Sequence, residues 1–79
     1  MPNPPIHPHE TALAELSRVA EESTRVRAFA RVLVNGIRRR LDVVVAEDVS
    51  VIREARRDSE RARILLEGLA RRWGLETGS

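Results

Sequence analysis

His7 and His9 are the side chains best suited to bind a metal or move a proton near neutral pH, and they stand two apart in Ile6-His7-Pro8-His9. Two histidines without Cys ligands or a rigid scaffold make a poor metal site, and the chain has no Cys. All four prolines fall in the same stretch, at Pro2, Pro4, Pro5 and Pro8. Each removes a backbone donor and biases its predecessor away from helix. Residues 1–9 therefore read as a Pro-rich flexible arm carrying solvated histidines.

The adjacent acids Glu21-Glu22 and Glu47-Asp48 are the next candidates for acid–base work. Neighbours on a helix diverge by about 100°, so neither pair converges on one substrate. They read as solvated charge or as a helix cap. The sequence beyond the arm has no His, Tyr is absent, and no Gly-rich phosphate loop occurs. Carboxylate metal centres in helical bundles draw on Glu-x-x-His pairs, which this chain lacks. The expectation is a non-enzymatic protein with no catalytic residues, no metal and no cofactor.

Arginine carries more information. All fourteen basic residues are Arg, a bias that a GC-rich coding sequence explains without a ligand. Six of them, Arg25, Arg27, Arg31, Arg38, Arg39 and Arg40, lie between Ser23 and Leu41 with no acid among them. Arg27, Arg31, Arg38, Arg39 and Arg40 are thus candidate contacts for an anionic partner, whether an acidic protein face or a nucleic-acid backbone. The competing assignment pairs Arg27 and Arg31 internally with Glu54 and Asp58 and leaves only the 38–40 triplet free. A net charge of +2 describes a mixed surface, and one Phe with one Trp offers little for stacking bases. A protein partner is expected first and nucleic acid second.

The elements that would position these groups are helical. From about residue 10, Leu13, Leu16, Val19, Ala20, Ser23, Val26, Ala30, Leu33, Val34, Ile37 and Leu41 recur at steps of three and four and share a face. A second seam runs through Ile52, Ala55, Ser59, Ala62, Leu66, Leu69 and Trp73, with Arg53, Arg57 and Arg71 opposite. Helical spacing of Glu54 with Arg57, Arg56 with Glu60, Arg63 with Glu67 and Glu67 with Arg71 supports it. Trp73-Gly74-Leu75 predicts a C-cap with Gly74 left-handed and Leu75 folded back over Ala70. Leu69 to Leu75 also resembles the first helix and turn of a helix-turn-helix, but the sequence ends at Ser79, short of a recognition helix.

The stretch from Asn35 to Ser50 decides the topology. Asn35-Gly36 is a stop signal, and the β-branched run Val43-Val44-Val45 weakens helix after it. A single continuous helix would bury Asp48 unpaired, which is costly, so a break is predicted with Asp48 or Ser50 capping the second helix. A β-hairpin at Asn35-Gly36 is the rival, opposed by the helical phase of Ala30, Val34, Ile37 and Leu41.

The fold expected is all-α: an antiparallel hairpin of two long helices over 10–74, with room for a short third element between them, and a short tail at 75–79. Leu13, Leu16, Ala20 and Ser23 would face Leu69, Leu66, Ala62 and Ser59, with Trp73 beyond. A domain this small buries only about 60% of its unfolded surface, and Phe29, Val32 and Ile64 stay outside the stripes. They are the candidate surface for a homodimer or higher bundle. No apolar run approaches the roughly 18 residues of a membrane span, and no signal-peptide pattern is visible. Without Cys nothing points to an oxidising compartment, so the expected setting is cytoplasmic. The expected function is a small helical protein–protein interaction module, a regulator or assembly factor acting as a homo-oligomer. The alternative is a small basic nucleic-acid-binding protein using the Arg25 to Arg40 block.

Overall fold

Helical periodicity dominates the structure as it does the sequence. A computed structural model describes residues 7–40, 43–58 and 60–75. These form α1 (Pro8–Glu22), α2 (Arg27–Ile37), α3 (Ala46–Arg57) and α4 (Ala62–Arg72). No strand occurs among the described residues, so Asn35-Gly36 is not a β-turn; both residues lie in the last turn of α2.

Each of the two long helices expected from the seams is divided, and this corrects the hairpin. The first stops at Ser23, whose backbone is extended at φ −122° and ψ 106°. Ser23 and Thr24 favour local hydrogen bonds over helix. Arg27 then folds back on the end of α1: Nε donates to the Ala20 carbonyl at 2.7 Å and Nη2 to the Glu21 carbonyl at 3.3 Å. This satisfies carbonyls that a helix end leaves open and sets positive charge on the negative pole of α1. The second long helix stops at Asp58, whose Oδ1 accepts the N–H groups of Glu60 and Arg61, each at 3.1 Å. Such a carboxylate turn competes with the helical ladder.

The four helices close a ring in which α1 packs on α2 and α3, and α4 packs on α3 and more lightly on α2. α1 and α4 are therefore diagonal. The direct pairing of Leu13, Leu16 and Ala20 with Leu69, Leu66 and Ala62 is not made. Leu16, Ala20, Ala62, Leu66, Leu69 and Trp73 meet instead in one shared core, while Leu13 is half-buried beside it. Short helices explain the difference, because each can turn its stripe toward two neighbours and enclose more apolar surface than one two-layer hairpin. Ser23 is half-buried in the loop after α1. Ser59 and Leu41, both assigned to the seams, lie outside the described residues, as do 1–6 and 76–79.

Candidate functional site

Asp48 anchors the junction between the two halves. α3 starts at Ala46, so the predicted break before Asp48 is present. Asp48 sits in the first turn and its Oδ2 accepts the Val45 N–H at 3.1 Å. Val45 has no side-chain acceptor to return the bond, so this is one half of a capping box. The cap is buried, with Asp48 only 1% exposed. Its Oδ2 also accepts the Trp73 indole N–H at 2.8 Å. Arg72 Nη1 lies 3.3 Å from Oδ1, close enough for charge attraction but not aligned as a hydrogen bond, which leaves Oδ1 without a hydrogen-bond partner.

The C-terminal end of α4 is tied down from two further sides. Gly74 has φ 71°, the Leu75 N–H reaches the Ala70 carbonyl at 2.9 Å, and the Gly74 N–H reaches that of Arg71 at 3.2 Å. These bonds form the predicted left-handed cap. Leu75 then lies over Gly36, where an added Cβ would come within 2.6 Å of its Cδ1. Arg40 Nη1 donates to the Trp73 carbonyl at 2.6 Å. Arg40, a candidate anion contact, thus spends one guanidinium donor as a structural clasp while remaining exposed.

The histidine assignment also changes. His7 is exposed, but His9 is buried within α1 and its Nε2 lies 2.6 Å from the Ile37 carbonyl. A carbonyl only accepts, so Nε2 is the donor in this bond. His9 joins the start of α1 to the end of α2 instead of trailing in solvent.

The expected internal pairing of Arg27 and Arg31 with Glu54 and Asp58 is replaced as well. Arg27 caps α1, Glu54 pairs with Arg61 at 3.2 Å, and Asp58 makes the turn into α4. Across α1 and α3, Arg56 binds Glu22 through Nε at 3.0 Å and Nη2 at 3.1 Å, and Glu15 through Nη1 at 3.1 Å. The hydrogen bonds from Arg56, followed by its charge, hold the Glu22 carboxyl below its ordinary pKa of 4.5. Of the helical pairs named from spacing, Arg63 with Glu67 forms, at 3.2 Å.

A groove of about 570 Å³ lies open between α1 and α2. Ala20 and Val34 form its floor, Ser17 and Glu21 its α1 wall, and Arg31, Asn35 and Arg38 its α2 wall, with Arg27 at one end. The groove thus brings together three of the five candidate anion contacts: Arg27 is spent on the end of α1, whereas Arg31 and Arg38 are exposed and have no ion-pair partner among the described residues. Arg39 is exposed beside them. The sequence marks Glu21 only as solvated charge and Asn35 only as a helix stop, and it does not single out Ser17; the four-residue spacing of Ser17 and Glu21 on the polar face of α1 was the signal for a shared wall.

Phe29 is half-buried against the core, whereas Val32 and Ile64 are 45% and 68% exposed. No helix among the described residues is long and apolar enough to cross a membrane. No cluster of three metal-ligating side chains occurs among them. Comparison with protein-family models, curated proteins and solved structures finds no match.

Proposed function

We propose that the chain is a small helical protein–protein interaction module, a regulator or assembly factor that works as a homo-oligomer. The observation that carries this reading is the make-up of the α1–α2 groove, where Arg31 and Arg38, without ion-pair partners among the described residues, share a surface with Glu21 above a floor of Ala20 and Val34. A phosphate backbone favours a surface of one sign, and Glu21 opposes it. Mixed charge around a small apolar floor suits another protein. The module needs no catalytic step, metal or cofactor, and a cytoplasmic setting belongs to the same proposal.

The nucleic-acid alternative draws on four exposed arginines, Arg25, Arg31, Arg38 and Arg39, none of which has an ion-pair partner among the described residues. Titration of random-sequence duplex DNA at physiological salt, beside nuclease-treated affinity capture, separates the two. The interaction module predicts weak duplex binding and nuclease-resistant complexes that weaken when Arg31, Arg38 and Arg39 are all changed to Gln. Tight duplex binding lost in that variant, with nuclease-sensitive capture, would overturn it.

A further inference from the structure

The outer face of the α1–α2 pair carries two rows of opposite charge. α1 exposes Glu10, Ala14, Ser17 and Glu21 at steps of four, three and four, a spacing that aligns them on one side of the helix. α2 exposes Ala28, Arg31, Asn35 and Arg38 at steps of three, four and three. Ser17 and Glu21 border the same groove as Arg31 and Arg38, so both rows open on the same side. None of the four charges has an ion-pair partner among the described residues, although Glu21 and Arg31 border one groove.

Two contacts set the rows level with each other. His9 meets the Ile37 carbonyl at 2.6 Å and Arg27 meets the Ala20 carbonyl at 2.7 Å. Glu10 is thus nearly level with Arg38 and Ser17 with Arg31, while Glu21 lies about one and a half turns from Arg31, within the span of the two side chains. A twofold axis along the groove and in the plane of the face keeps every height while exchanging left for right. It lays α1 of one copy antiparallel on α2 of the other. Glu10 then faces Arg38 of the second copy, Glu21 comes within reach of its Arg31, and symmetry repeats both pairs. Small Ala14, Ser17 and Ala28 allow the helices to approach.

We infer that this face is a self-complementary interface for a second copy of the chain. The inference rests on the homo-oligomer part of the proposed function and names its surface, one that excludes Ile64 on α4. The contact is rich in charge and poor in large apolar groups, so it weakens with salt.

Charge reversal tests it. Glu10→Arg with Glu21→Arg makes both rows basic, and Arg31→Glu with Arg38→Glu makes both acidic. All four side chains are exposed, so circular dichroism should show unchanged helix. By sedimentation equilibrium each double variant should dimerise at least about tenfold more weakly than the unmodified protein, because like charges now meet. An equimolar mixture of the two should regain dimers, and so should the quadruple variant. If a double variant loses its helical signal, the quadruple variant, with its charges exchanged and balanced, carries the test alone. Monomeric unmodified protein at micromolar concentration, double variants that dimerise normally, or failure of both the mixture and the quadruple variant to associate would overturn the interface. Nuclease-resistant capture that depends on Arg31 and Arg38 is a separate readout, so the broader interaction reading can survive that failure and be recognised as surviving.

Discussion

Trp73 and Asp48, twenty-five residues apart, are joined by a 2.8 Å hydrogen bond from the indole N–H to a carboxylate oxygen that also caps α3. One buried acid therefore fixes where α3 starts and where α4 ends. Asp48→Ala leaves the buried indole donor unsatisfied and removes the cap, for an expected loss of about 2–4 kcal/mol in urea unfolding. Asp48→Leu should also destabilise, since an apolar side chain leaves the same donor unpaired. In a double-mutant cycle with Trp73→Phe, the two changes should couple by about 1 kcal/mol. A neutral or stabilising Asp48→Leu would show that the bond contributes nothing.

Arg27 ends α1 by donating to two of its carbonyls. Arg27→Ala should cost about 1 kcal/mol, and Arg27→Lys, which supplies charge without the fork, should recover only part of it. Equal stability of the Ala variant and the unmodified protein in denaturant titrations would remove Arg27 from the account of this break.

Glycines at 68 and 74 should respond in opposite directions. Nothing lies within 4 Å of a Cβ added at Gly68. Gly68→Ala should raise stability by about 0.5–1 kcal/mol through helix propensity alone. Gly74 is at φ 71°, where an Ala side chain is strained, so Gly74→Ala should lower stability by about 1–2 kcal/mol. Thermal unfolding of the two variants side by side checks both signs.

The Arg56 clamp predicts a response to acid. Glu22 has a lowered pKa in the folded protein because Arg56 hydrogen-bonds and faces its carboxylate. The unfolded chain therefore binds the proton more readily, and the contribution of Glu22 is complete above its ordinary value of 4.5 and lost as pH falls through the lower folded value. Glu22 is exposed, so the effect on global stability is small and is best read at the side chain. In an NMR titration, Arg56→Gln should return the Glu22 carboxyl to near 4.5. An unchanged midpoint would mean the clamp does not form.

The core was legible because its residues follow one period: Leu16, Ala20, Ile52, Ala62, Leu66, Leu69 and Trp73 are all buried where the seams put them. The Gly74 cap and the break before Asp48 were legible because Gly and Asp have specific backbone chemistry. The divisions at Ser23 and Asp58 were not, since the apolar steps pass through both without losing phase. Side chains that act on distant backbone, such as Arg27 on Ala20, Arg40 on Trp73 and His9 on Ile37, leave no periodic trace. The candidate groove was half visible, as Arg31 and Arg38, while its α1 wall lay among polar residues that no seam recorded.

Whether the α1–α2 face associates through charge is read from sedimentation velocity of the unmodified protein at low salt and at roughly 1 M salt. A concentration-dependent dimer should form at low salt and dissociate toward monomer at high salt, with helix content unchanged. A species of one mass at every concentration and both salt levels, whether monomer or a larger assembly, would contradict it.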